Sequence, residues 1–409
     1  MKASAATEKL LALSMLAGIG PATLKKIASV QGFESISVEK LSEKFSVLYK
    51  SLSAPGAWEL ALEDAAKQIA SAEKYGARIV SALDDEYPKL LAATKDDPFI
   101  LFVRGRLHTF PEKSVAVIGT RQPTQHGEII ARRITEYFVD QCWSVVSGLA
   151  LGCDGLAHRA AIDAGGHTVA VLAHGLQTIA PSQHRKLADE ILESGGALVS
   201  EYRFGQGALP QQFVKRDRTQ AGLAQGVVMI QSDVKGGSLH ASRAALDYDR
   251  WLAVPLPTST DRANQEPKVQ ANILIAEGAW SEKATLLKCH RSKLDSILII
   301  KTKEDYPKML SVSMVCSSIG GRDTETSAEF ELSEEVGEVE VLRTVVESSD
   351  LNSIDDKNGD IFEEGECVKA GDNLELRQPA QKLEHEEPGK GDVKEDSYPE
   401  PLTHQQSLL

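Results

Sequence analysis

The 409-residue sequence is poor in cysteine, in aromatic residues and in long apolar runs. Its five cysteines, Cys142, Cys153, Cys289, Cys316 and Cys367, are odd in number, scattered and without a CxxC pair. That pattern fits neither a disulfide framework nor a structural zinc site. No apolar stretch reaches the roughly 18 to 20 residues that a membrane-spanning helix needs, so no membrane-embedded role is expected. The opening MKASAATEKLLALSML carries a glutamate inside its apolar stretch and lacks a clear cleavage site. These features argue against a signal peptide, and a cytoplasmic protein is expected.

The formal net charge of −14 is unevenly placed. From Gly321 to Leu409 there are 25 acidic and 8 basic residues, a net of −17, which leaves residues 1–320 at +3. The acidic segment holds only three aromatics, Phe330, Phe362 and Tyr398. A segment with so little apolar mass cannot offset its ordering entropy, and residues 357–409 read as an acidic, disordered tail. The remainder is long enough for two domains or more.

Residues 8–31 show apolar positions at helical spacing, interrupted by Gly18-Ile19-Gly20-Pro21. Glycine suits the end of one helix and proline the first turn of the next, which predicts a helix-hairpin-helix inside a small helical domain over 1–78. Such a turn, followed by Lys25 and Lys26, either holds a DNA phosphate or serves only packing and self-association. Short apolar runs then alternate with amphipathic segments. Strands are predicted at Ile100–Arg104, Ser114–Ile118, Ser144–Ser147, Thr168–Leu172, Ala197–Glu201, Gly226–Gln231 and Trp251–Val254. Helices are predicted at Gly127–Asp140, Leu156–Ala164, Arg185–Glu193 and Ser238–Tyr248. This order implies an α/β domain over 79–300, an extended Rossmann-like and mostly parallel sheet covered on both faces.

Ligands of open α/β sheets bind in the loops at the carboxyl ends of the strands. The first such loop is Gly119-Thr120-Arg121. It is not GxGxxG, and an arginine stands where a dinucleotide needs close backbone approach, so NAD is disfavoured and no cofactor is expected. Arg121 at a helix N-terminus suits an external phosphate, or else a salt bridge in the rim of the sheet. In the Ser147–His158 loop, Gly148 permits a tight backbone, and Asp154 and His158 read as residues that order the loop. A hydrolase triad is disfavoured because GxSxG is absent, and Cys153, His158, His167 and His174 match no familiar metal-ligand spacing. A third group joins Lys215, Arg216 and Arg218 to Lys235 and the turn Gly237-Ser238, with free N–H groups and a hydroxyl for an anion. With Arg121, Arg185 and Lys186 they form a candidate set for phosphate-backbone recognition, the alternative being bases scattered on a solvated face.

These residues resemble the DNA-processing protein A family, DprA or Smf, over about Leu10 to Gly278. The resemblance is carried by Leu83–Leu90 (LDDEYPKL), Pro98–Gly105 (PFILFVRG), Val117–Arg121 (VIGTR), Ser147–His158, Gly165–Leu172, Phe213–Gly222 and Gly237–Leu239. It implies a cytoplasmic protein without catalytic residues that binds and protects single-stranded DNA in natural transformation and loads the RecA recombinase. It also implies a homodimer, a sterile-alpha-motif-like helical domain, and DNA contacts mapping onto Arg121, Phe213, Arg216 and Arg218. Three departures stand out. Asp217 replaces the asparagine of the usual Arg-Asn-Arg, and Ser182 follows Ala180-Pro181 where a Tyr-Pro and a lysine are usual. A winged-helix-like start at Glu340–Val346 runs into acidic sequence, which leaves 301–356 as a winged-helix remnant. The alternative on the same fold is a nucleotide-binding module or a nucleotide phosphoribohydrolase, for which Lys235–Ala241 lacks the expected glutamate.

Overall fold

The computed structural model describes residues 3–107 and 113–311. The expected winged-helix remnant is therefore described only as far as Ser311, and the acidic tail lies outside the described residues. Helices α1 (Ala5–Met15), α2 (Pro21–Ala28), α3 (Val38–Lys44), α4 (Ser46–Ser51) and α5 (Ala57–Lys74) open the chain. The Ser4 hydroxyl caps α1 by accepting the Thr7 amide, and Pro21 occupies the first turn of α2 after Gly20. Proline lacks only an N–H that would find no partner there, so the hairpin predicted at residues 18–21 forms as expected.

Strands and helices then alternate: β1 (Ala77–Ser81), α6 (Lys89–Ala92), β2 (Ile100–Gly105), β3 (Ser114–Ile118), α7 (Gln125–Asp140), β4 (Ser144–Ser147), α8 (Cys153–Asp163) and β5 (Thr168–Leu172). After them come α9 (Arg185–Glu193), β6 (Ala197–Ser200), α10 (Pro210–Gly222), β7 (Gly226–Met229), α11 (Leu239–Asp247) and β8 (Trp251–Pro255). Helices α12 (Ser259–Ala263), α13 (Gln270–Glu277) and α14 (Trp280–Leu287) lead to β9 (Ile297–Ile300). The described strands form one sheet in the order β1-β2-β6-β5-β4-β3-β7-β8-β9. Strands β3 to β9 pair in parallel, while β1 and β2 run antiparallel at one edge.

The valine-rich strands are buried on both faces, as parallel sheets require. Along β3, Val115 and Val117 pack with Ala131 and Ile134 of α7 and with Ala157 and Ala161 of α8. The alternate residues Ala116 and Ile118 pack with Ala221 of α10 and with Ala241 and Ala245 of α11. The helical module shares a third cluster with the sheet: Leu10, Leu11 and Leu13 of α1 lie with Ile79, Phe102 and Leu198. Polar contacts fix the same junction. Asp84 accepts hydrogen bonds from the Ser4 and Thr7 hydroxyls and from the Ser81 amide, and Gln68 pairs with both backbone groups of Phe204.

Three boundary expectations change. Strand β1 begins at Ala77, directly after the left-handed turn at Gly76, so the 78/79 boundary falls inside a strand. Strands β1 and β9 were not predicted, because each is a short edge strand whose pairing partner is far away in sequence. Beyond residue 300, Tyr306 and Met309 are buried against the α7 side of the sheet, with the Tyr306 ring 5.3 Å from that of Tyr137. The α/β core thus extends past the expected limit at 300. Among the described cysteines, Cys153 and Cys289 are free thiols while Cys142 is disulfide-bonded.

Candidate nucleic-acid interface

Strands β3 and β7 lie side by side at the centre of the sheet, and the chain leaves them in opposite directions, toward β4 and toward β8. Loops leaving the carboxyl ends of such a pair diverge and open a crevice. Here the loop after β3 and the loop after β7 are tied together at the base of that crevice. The Thr120 amide donates to Gln231 O at 2.8 Å, and the Gln231 side chain bonds both the amide and the hydroxyl of Thr124. Gly119 admits no side chain, since a Cβ would lie 2.5 Å from Cys153 Sγ. Arg121 is exposed at the rim.

The crevice encloses about 430 Å³. Gly119, Thr120 and Arg121 form one wall, and Gly237 and Ser238, at the start of α11, form the opposite one. The Ser238 hydroxyl donates to Ser232 Oγ at 2.8 Å, which steadies the turn that begins α11. Phe213 of α10 supplies an aromatic wall. A second cleft, of about 530 Å³, opens on the other side of the Arg121 loop. Arg121, Arg159, His184 and Lys186 line it, with Glu128 as a carboxylate among them. Behind them Glu190 pairs with Arg159 and with Lys186.

The loop after β4 is tied to the start of α8. Gly152, at φ +76°, is the N-cap of α8, and Asp154 sits inside the helix with its carboxylate turned back onto the amides of Gly148 and Ala150. Burial pushes the Asp154 carboxyl up to about 6, against the attraction of Arg216. The His158 ring is held from another strand. Its Nδ1 meets the Thr168 hydroxyl of β5 at 2.7 Å, and full burial drops its pKa to about 3, so it is a neutral core residue.

The basic group on α10 is the main revision. Arg216 is 4% exposed, and its guanidinium donates to Gly148 O at 2.6 Å, to Val171 O and to Asp217 Oδ1 at 3.1 Å. It lines the crevice as a largely structural cation, with its Nε and Nη1 donors engaged by Asp217, Gly148 O and Val171 O. Lys215 and Arg218 converge on Glu201, at 3.4 Å and 2.7 Å, and Arg218 also donates to Asp96 O. Glu201 directly follows β6 and partly neutralises these two bases of α10. Arg185 and Lys235 are exposed but line neither opening. The structure thus brings together Gly119, Thr120, Arg121, Arg216, Gly237 and Ser238 at one crevice, and Arg121 with Lys186 at the second. Sequence reasoning missed Arg159, one residue beyond His158 on α8, and Gln220, one turn beyond Arg216 on α10. The i, i+4 spacing of Arg216 and Gln220 was the available signal.

Residues 78–286 match the family model for DNA recombination-mediator protein A. The chain belongs to that family. The matched span holds both clefts and the α/β domain as far as α14. Over 180 residues the chain is 40% identical to protein Smf of Escherichia coli, covering 44% of this chain and 48% of that protein. It is 33% identical over 189 residues to the DNA processing protein DprA of Bacillus subtilis, covering 46% of this chain and 63% of that one. The aligned spans are therefore about half to three-fifths of those relatives' lengths. The X-ray structure of DprA from Streptococcus pneumoniae aligns with a TM-score of 0.53 at 23% identity, covering 75% of this chain and 98% of that one, a likeness of fold. Among the described residues no helix is long and apolar enough to cross a membrane, and no cluster of side chains suits a metal ion.

Proposed function

We propose that this DNA recombination-mediator family member binds single-stranded DNA through its phosphate backbone, protects the strand and loads the RecA recombinase during transformation or recombination. The observation that carries the reading is the position of Arg121, exposed on the ridge between two clefts at the carboxyl edge of the sheet. A single strand laid across that ridge meets Arg121, Arg159 and Lys186 with its phosphates and keeps its bases free to enter the crevice. A duplex is too wide and stiff to follow the same path. We further read the protein as a cytoplasmic homodimer with no catalytic step.

The test is fluorescence anisotropy of a labelled mixed-sequence single strand at two salt concentrations, with a duplex of equal length beside it. Binding that is strand-selective, falls with salt and is weakened in Arg121→Ala supports the reading. Binding of duplex and single strand alike, or indifference to Arg121, overturns it. RecA filament formation on the bound strand and the mass in solution by light scattering test the two partners. The rival reading, a nucleotide hydrolase on the same fold, predicts release of free base from AMP by the same preparation.

A further inference from the structure

The two clefts flanking Arg121 differ in chemistry. The second is lined by Arg121, Arg159 and Lys186 against Glu128, with Glu190 pairing Arg159 and Lys186 from behind. The first is lined by three carboxylates, Asp154, Asp217 and Asp233, against Arg121 at its rim and Arg216, whose Nε and Nη1 are already engaged. A phosphate gains little from such a lining. Beside the hydroxyls of Thr120 and Ser238, its buried side chains add acceptors. Gln220 is 2% exposed and its Nε2 donates to Asp217 Oδ1 at 3.2 Å, which fixes the amide and leaves Oε1 buried with no donor. Beside it, the hydrogen bonds that Asp217 and Asp154 accept fall on Asp217 Oδ1 and Asp154 Oδ2. A buried acceptor without a donor calls for a ligand that supplies one. Phe213 offers an aromatic face at the same place.

We propose that this crevice reads a base, and that Asp217, with Gln220, makes it favour bases bearing an exocyclic amino group over thymine. Cytosine, adenine and guanine each present an N–H₂ donor to such acceptors. Thymine presents one ring N–H between two carbonyl oxygens, which the carboxylates repel. The strand's phosphates then lie on the Arg121, Arg159 and Lys186 side, and one base turns into the crevice beside Phe213. An asparagine in place of Asp217, with a donor and an acceptor, has no such preference. The inference rests on the single-strand reading above.

Oligo-dC and oligo-dT of equal length isolate the base edge, since both are pyrimidines and stack similarly. In competition anisotropy, the wild type is expected to bind oligo-dC about fivefold or more tightly than oligo-dT, the lower end of what one well-made base contact discriminates. Asp217→Asn brings that ratio to within about twofold of one, and so does Gln220→Leu, a second variant should the first fail to fold. Equal binding of the two strands by the wild type overturns the proposal and leaves the single-strand reading standing. So does a dC preference that survives in both variants. A thermal shift produced by Mg²⁺ alone and lost in Asp217→Asn, with no base preference, assigns the acceptors to a cation and also overturns it. Failure to bind any single strand removes the reading on which the proposal rests.

Discussion

Arg216 offers the sharpest test of the site's construction, because an arginine on the basic face of α10 and an arginine buried beneath a loop respond to substitution in opposite ways. Arg216→Ala removes the donors to Gly148 O and Val171 O and leaves Asp154 and Asp217 without the cation that faces both. Breaking a buried pair by removing one partner costs roughly 3–5 kcal/mol. In a domain of this size about 2–4 °C of melting temperature accompanies each kcal/mol, so a fall of roughly 6–20 °C is expected. The loss should be smaller at pH 5 than at pH 8. Burial already holds the Asp154 carboxyl up at about 6, and a carboxyl raised in the folded state gives stability below its ordinary range that is lost as pH rises through the raised value. Removing Arg216 raises it further and enlarges that loss. Arg216→Lys should fall between, since one ammonium cannot bridge two carbonyls and a carboxylate as a guanidinium does. Thermal unfolding followed by circular dichroism at the two pH values measures this. A melting temperature for Arg216→Ala within about 2 °C of wild type would refute the structural role and return Arg216 to the ligand-facing set.

Four further outcomes follow from the same geometry. Arg121→Ala changes stability by no more than about 0.5 kcal/mol but weakens single-strand binding and lowers the salt slope by about one, read by calorimetry and salt-titrated anisotropy. His158 is held neutral with a folded pKa of about 3, so its contribution is present above its ordinary value near 6.5 and is lost as pH falls toward 3. His158→Gln should flatten acid unfolding over that window, by up to about 5 kcal/mol. Gly152→Ala places a Cβ 2.5 Å from the backbone of Arg121 at a φ of +76°, which should cost about 1–3 kcal/mol and weaken DNA binding by displacing the Arg121 loop. Gly237→Ala meets open space and should leave the melting temperature unchanged, so it controls for glycine substitution at the same crevice.

Much of the fold could be read along the chain. Val115–Ile118, Val145–Val146 and Val169–Leu172 announce strands buried on both faces, and the Gly20-Pro21 step announces the hairpin, because these signals are local. The loops that matter followed from the strands, since ligands gather at the carboxyl ends, and Arg121 stands where that rule puts it. The edge strands β1 and β9 escaped notice because a short strand is defined by a partner as far off as residues 100–104 or 252–255.

The sequence by itself determined the residue types available for the site: the arginine after β3, the bases and carboxylate of α10, and the glycine-rich turn before α11. Only the tertiary structure decided which of them face a ligand. Arg216 looks like its neighbours in sequence, yet it finds carbonyls 68 and 45 positions away and is buried by them. Glu201 answers Lys215 and Arg218 from the end of another strand, and Arg159 joins Arg121 and Lys186 from α8. Charge is a property of the residue, but whether that charge is already neutralised depends on the partners the fold brings within about 3 Å, which no local pattern encodes.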